Sequence, residues 1–573
     1  MDDRLKQRLD RRLKPLYGDR AAWCLDQIAA RLVHYLPKIP PLRKTAWDQR
    51  DVMLITYGDQ VRGEAEPPLA TLGRFLAMAG LQELLGTVHV LPFFPYSSDD
   101  GFSVIDYRTV DPALGGWADV QALGERFDLM FDLVVNHVSR RSRWFQDYAA
   151  GREPYTGYFI EMDPQTDLST VTRPRSLPLL TPVETARGTR HLWTTFSDDQ
   201  LDLNFAEPAV LVEMIDVLLF YLQQGARFIR LDAIAYLWKQ PGTSCIHLPQ
   251  THAVVKLLRD LVDAVAPGAI LLTETNVPHQ ENASYLGEGD EAQMIYQFSL
   301  APLLLEALLS GDATLLGGWL AELPPAPPQT TVLNFTASHD GIGVRPLEGI
   351  MPTPRFDRLL KAVEARGGYI STKRNPDGSD SPYELNITYF DALAEPGDAN
   401  PAIQVRRFLA SQALMLSVRG IPAVYFHSLV GTPNNTAGVA RTGRPRSINR
   451  RKFELAELQT VLGAADSPPA MVLDGYRRLL QVRVAQPAFH PDAAQVVVPL
   501  GHPSLVALVR KSIDGRQTIL VVGNLGPQPQ SVDVRKATGA VPEADLLGGH
   551  PVGDPVTLSP YQVAWITLKA PAA

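Results

Sequence analysis

The feature that most constrains this chain is a train of short apolar runs alternating with amphipathic stretches. The runs are Val52–Tyr57, Val88–Phe93, Leu129–Val135, Phe228–Leu231, Ala269–Thr273, Thr331–Phe335 and Val424–Phe426, the last following Gly420-Ile421-Pro422. Runs of about three to seven residues without polar alternation read as strands buried on both faces, which means a parallel sheet. Helix-prone segments such as Ala209–Gln223 fill the gaps. Repetition of this unit over some 400 residues predicts a (β/α)8 TIM barrel. Residues 51–485 are assigned to it, with inserted loop regions at about 138–204 and 343–395 that are too long for simple connections. Residues 1–50 carry apolar positions at Leu5, Leu9, Leu13, Leu25, Ile28 and Leu32 and are expected to be helices packed outside the barrel. From 486 to 573, apolar runs separated by Gly, Pro and Asn turns predict a small C-terminal antiparallel β domain.

Composition narrows the class. Net charge is −8, which argues against a nucleic-acid partner but leaves room for a small anion bound in a local basic pocket. Two cysteines, Cys24 and Cys245, exclude a disulfide framework and favour a reducing compartment. The charged opening Met1-Asp2-Asp3-Arg4 does not resemble a signal peptide, and no apolar run is long enough to span a membrane. The expected location is the cytoplasm.

Four polar clusters sit at the ends of apolar runs, where a barrel builds its active site. They are Asp132-Leu133-Val134-Val135-Asn136-His137, Arg230-Leu231-Asp232-Ala233, Leu272-Thr273-Glu274 and Ser338-His339-Asp340-Gly341. A single Asp at a strand end is most often a cap or turn residue. Four such clusters in this order point to chemistry instead. Cleavage of a glycoside through an oxocarbenium-like state needs an ionised carboxylate at the anomeric carbon and a protonated carboxyl at the leaving oxygen. Arg230, two residues before Asp232 on the same strand face, is expected to lower the Asp232 pKa. Glu274 is expected to stay protonated in a drier spot.

These clusters resemble the four signature regions of glycoside hydrolase family 13, the α-amylase family. The resemblance implies Asp232 as nucleophile, Glu274 as general acid/base and Asp340 as the residue holding the sugar 2- and 3-hydroxyls. It gives Arg230 the task of orienting the nucleophile, and His137 and His339 hydrogen bonds to the glucosyl unit. Asp99-Asp100-Gly101-Phe102, Gly242-Thr243-Ser244-Cys245, His339-Asp340-Gly341-Ile342-Gly343 and Ile448-Asn449-Arg450 are similar to the sucrose-phosphorylase subfamily. That likeness adds Asp99 and Arg446 as glucosyl contacts, Phe102 and Phe196 as ring walls, and Gln200 and Tyr236 as pocket lining. It implies transfer of glucosyl to inorganic phosphate.

Three segments resemble the glucosylglycerate-cleaving branch of that subfamily: Asp163–Leu168, Thr273–His279 and the loop Arg374–Glu384. The acceptor and phosphate candidates are Arg175 and Tyr383, which match a loop Arg and its neighbouring Tyr in sucrose phosphorylases, together with Glu384 and the loop cations Lys373 and Arg374. A bidentate guanidinium suits the carboxylate of glycerate, although Lys373 and Arg374 read equally as solvated loop charges. The chain departs from sucrose phosphorylases at Glu384, where they tend to have Gln, and at Asn276, where they tend to have His. A sibling specificity (sucrose, glycerol or fructose 6-phosphate), an α-glucosidase and a catalytically dead binding protein remain alternatives. Asn136 matches a calcium-site position of many amylases, but the subfamily implies no metal, and no organic cofactor is expected.

Overall fold

The computed structural model describes all residues except Pro376, Asp398, Ala399 and 571–573. Eight parallel strands close into a barrel: β1 (Met53–Thr56), β2 (Thr87–Val90), β3 (Asp128–Val134), β4 (Ala226–Asp232), β5 (Ile270–Thr273), β6 (Met294–Tyr296), β7 (Thr331–Phe335) and β8 (Ile421–Tyr425). Each pairs with its sequence neighbours, and β8 closes on β1 through Met53↔Ala423. The seven apolar runs are strands. The eighth, β6, has only three residues, too few for periodicity to betray it. Barrel strands bury residues on both faces, which is why they lack the alternation of a half-exposed sheet.

Outside the barrel, α1 (Asp3–Tyr17) and α2 (Ala21–Tyr35) lie against α3 (Pro208–Gln223) and α4 (Pro249–Val265). Their apolar stripes, Leu9, Leu13, Ile28 and Leu32, are fully buried, while the polar faces pair outward through Arg12–Asp260 and Arg31–Asp216. Past the barrel, β9 (Ala494–Val497), β10 (Leu505–Lys511), β11 (Thr518–Asn524), β12 (Val541–Asp545), β13 (His550–Pro551) and β14 (Val563–Lys569) form an antiparallel sheet in the order β9-β10-β11-β14-β12-β13.

The two long connections lie beyond the carboxyl ends of β3 and β7. The first folds as short antiparallel pairs, His137–Ser139 with Gln200–Asp202 and Leu180–Val183 with Arg190–Trp193. The second is a three-stranded sheet of Ile342–Gly343, Tyr369–Arg374 and Asp380–Asn386. An isolated bridge, Arg173 to Arg374, ties the two connections together.

Candidate active site

Parallel register decides which residues meet. Asp132 on β3 stands opposite Arg230 on β4, and Val134 opposite Asp232. On the other side Leu231 pairs with Thr273, so Glu274 leaves β5 beside Asp232, its backbone N–H donating to the Leu231 carbonyl. Three chain segments thus converge on one guanidinium. Arg230 Nη1 donates to Asp132 Oδ1 at 2.5 Å and to Asp232 Oδ1 at 2.7 Å, Nη2 lies 3.9 Å from Glu274 Oε2, and Nε donates to the Tyr296 hydroxyl at 3.0 Å. Beneath it, His89 Nε2 meets Asp132 Oδ2 at 2.6 Å. Ala233, after the nucleophile position, has φ +52°, a conformation costly for any residue with a side chain. Its N–H meets Glu274 Oε2 at 3.2 Å.

The electrostatics differ from the sequence expectation in one respect. Burial raises the Asp232 carboxyl above its ordinary range, and Arg230 only opposes that rise. Burial is the larger cause; Asp132, which shares the same guanidinium and is itself a nearby negative charge, adds a smaller rise. Glu274 behaves as expected. Burial pushes it up to about 7; the charges of Asp232 and Asp340 add to the rise, and Arg230 opposes it. Asp340 goes the other way. Burial works against its ionisation, but Arg446, His339 and Arg450 hold it well below the usual carboxylate range. The three carboxyls of one cavity are therefore poised differently, the condition for separate acid and charge-stabilising roles.

Around them the glucosyl-binding candidates come together. Phe102 stacks on His339 with ring centroids 4.7 Å apart and planes 3° from parallel. His137 Nε2 donates to the Phe102 carbonyl at 2.9 Å, and Gln200, held opposite Ser139 by the short antiparallel pair, donates to the same oxygen at 3.2 Å. Phe196 sits between His137 and Tyr236, at 5.2 and 5.5 Å. Asp99 and Asp100 both adopt left-handed backbone, with φ +53° and +49°. Gly101 follows because a Cβ there would meet the Pro92 carbonyl at 2.6 Å. Asp199 fixes this turn by accepting from Ser97, Ser98 and Ser103. Arg446 pairs with Asp340 Oδ1 at 2.7 Å and with both oxygens of buried Glu384 at 2.6 and 2.8 Å.

Asp232, Glu274, Asp340, Asp99, Phe102, His137, Phe196, Gln200, Arg230, Tyr236, His339, Arg446, Arg175, Tyr383 and Glu384 all line this one cavity. Arg175 packs over the Tyr383 ring at 5.6 Å. Lys373 and Arg374 do not line it. They face an adjoining depression, where Arg374 pairs with Asp380 at 2.9 Å and Lys373 donates to Asn375 at 3.3 Å. Both stand at the end of the six-residue strand Tyr369–Arg374.

Sequence reasoning left several neighbours out of the site. Asp132 was legible in the first strand-end cluster but carried no role. His89 and Tyr296 gave no local signal, and Arg450 stood in a family-like segment without a role; it reaches Asp100 at 2.6 Å and the His339 carbonyl at 2.8 Å. Asn276 Oδ1 and His339 Nδ1 are buried in the cavity wall without a hydrogen-bond partner among the described residues. Buried polar atoms are rarely left so, and both are ready for ligand hydroxyls.

At the Asn136 position the side-chain oxygens already have a cation. Lys239 Nζ donates to Asn136 Oδ1 at 2.6 Å and pairs with Asp202 Oδ2 at 2.5 Å, so an ammonium already satisfies these oxygens. Among the described residues no group of His, Cys, Asp or Glu is arranged to hold a metal ion.

Comparison with known proteins identifies the family of the chain. The α-amylase catalytic-domain family matches residues 81–313, and a C-terminal immunoglobulin-like domain of D-apionate lactonase matches 503–566. The chain is 46% identical to the glucosylglycerate phosphorylase of Allomeiothermus silvanus, over 98% of both chains. It is 44% identical to that of Escherichia coli, over 98% of this chain and all of the other. The crystal structure of sucrose 6F-phosphate phosphorylase from Thermoanaerobacter thermosaccharolyticum superposes with a TM-score of 0.72 at 27% identity, covering 83% of this chain and 94% of that one.

Proposed function

The chain belongs to the α-amylase family, on the branch of the glucosylglycerate phosphorylases, and from that premise we propose how its site works. The enzyme is a retaining glycoside phosphorylase that moves glucosyl reversibly between 2-O-α-D-glucosyl-D-glycerate and phosphate. One observation carries the reading. Asp232 and Glu274 leave neighbouring strands toward one cavity, sharing Arg230, with Glu274 held near neutrality.

In the first displacement an Asp232 oxygen attacks the anomeric carbon while the bond to the glycerate oxygen breaks. Glu274 gives its proton to that oxygen, and D-glycerate leaves. In the second, a phosphate oxygen attacks from the vacated side, Asp232 departs as carboxylate, and Glu274 takes back a proton from phosphate. Two inversions give α-D-glucose 1-phosphate. Asp340, ionised by Arg446 and Arg450, holds the sugar hydroxyls and steadies positive charge on the ring. His137, His339, Asp99 and Gln200 hold the rest of the glucosyl unit between Phe102 and Phe196. On the acceptor side Arg175, supported by Tyr383, meets the anion, whether phosphate or the glycerate carboxylate.

Among the described residues no helix is long and apolar enough to cross a membrane. The two buried free cysteines fit a reducing compartment, and we place the reaction in the cytoplasm. The test is phosphate release from glucose 1-phosphate with D-glycerate, fructose or glycerol offered. Release with D-glycerate alone is expected. Preference for fructose or glycerol would shift the assignment to a sibling specificity.

A further inference from the structure

Beside the reacting cavity, the two inserted connections meet in a depression walled by Arg173, Arg345, Lys373 and Arg374. Among its described lining residues none is acidic, on a chain whose net charge is −8. Two of the four cations are partly answered: Arg374 by Asp380 at 2.9 Å, and Arg345 by the exposed Glu348 at 3.7 Å. Among the described residues Arg173 donates only to the Leu177 carbonyl, and Lys373 only to Asn375. Among the described residues no carboxylate lies within 4 Å of either. The Arg345 Nε is buried without a hydrogen-bond acceptor. Burial, with Arg374 beside Arg173 and Arg345 beside Lys373, lowers the pKa of both Arg173 and Lys373, though Glu348 and Glu281 oppose part of the fall at Lys373. Gathering like charges in a half-buried seam is unfavourable unless an anion visits it.

The seam neighbours the active site, because Arg173-Pro174-Arg175 puts Arg175 into the reacting cavity and Arg173 into the depression. Every substrate and product of the proposed reaction is an anion. Resting on that reading, we propose that the depression is a second, non-reacting site for a small oxyanion, phosphate or carboxylate, which holds the incoming or outgoing anion next to the glucosyl-enzyme. It gives a role to Lys373 and Arg374, which line the depression and not the reacting cavity. A cationic antechamber raises the local concentration of an anion and hence its capture rate, an effect that salt screens.

The experiment compares wild type with Arg173→Gln/Lys373→Gln and with the charge-keeping Arg173→Lys/Lys373→Arg. Each is titrated calorimetrically with inorganic phosphate and, separately, with D-glycerate, and KM and kcat are measured at low and high salt. Wild type and the charge-keeping variant are expected to bind one anion more than the glutamine variant. That variant's KM for the bound anion should rise about tenfold at low salt, with kcat changed less than about twofold and the gap closing at high salt. A second equivalent seen with phosphate alone identifies phosphate as the occupant; one seen with D-glycerate alone identifies the carboxylate. Identical titrations and KM values in all three proteins would overturn the proposal. So would equal losses in the glutamine and charge-keeping variants, which mark a purely structural role. The phosphate titration needs no turnover, so it judges the depression even if acceptor-dependent phosphate release contradicts the proposed activity.

Discussion

Glu274 is the residue whose state the rest of the site sets. Removal from water and the charges of Asp232 and Asp340 bring it to about 7. It must be protonated to act as an acid, so glucosylglycerate cleavage is expected to fall as pH rises through that value. The kcat/KM profile of the phosphorolytic direction checks this, and Glu274→Gln should remove the alkaline limb. The same variant should lose about 10²–10⁴-fold on glucosylglycerate but far less on α-glucosyl fluoride, whose leaving group needs no proton. Equal losses on the two would contradict the acid role. Gly343 is the second telling residue. A Cβ there would lie 2.5 Å from Asn276 Oδ1, two positions from Glu274, so only glycine lets that amide keep its place in the wall. Gly343→Ala is expected to raise the KM for the acceptor more than it lowers kcat. An unchanged acceptor KM would show that Asn276 does not contact it.

At the scale of elements, strand ends carry the chemistry and the two insertions carry specificity. The first insertion is held to β3 through a buried charge. Asp202 accepts from Thr195 and Asn136 and pairs with Lys239, whose side chain is 2% exposed. Removing one partner of such a pair strands the other charge at a cost of about 3–5 kcal/mol, whereas removing both costs much less. Lys239→Met should therefore lower thermal stability sharply, and adding Asp202→Asn should recover part of it. Additive losses in a double-mutant cycle would sink this account of the Asn136 position.

For the whole molecule, the N-terminal helices are part of the core. Leu9, Leu13, Ile28 and Leu32 are at most 1% exposed, each worth about 1.5–3 kcal/mol of burial. A chain lacking residues 1–38 should lose solubility or melt several degrees lower, as gel filtration and calorimetry would show, because the facing stripes of α3 and α4 would meet water. The amino-acid sequence by itself determined the barrel class, the outer helices, the terminal sheet and the four strand-end clusters. Those properties follow from local periodicity and from polar residues breaking an apolar run, which neighbours along the chain suffice to specify. It missed β6, because three buried residues carry no period. It read Arg230 as acting on Asp232 alone, because Asp132 reaches that guanidinium only through β3–β4 register, 98 residues away in the chain. It grouped Lys373 and Arg374 with Arg175 because charge is visible in a sequence and direction is not. Whether a side chain on an insertion lines the cavity or the depression beside it depends on how two distant connections pair, and only the tertiary structure, closing them through the Arg173–Arg374 bridge, decided that.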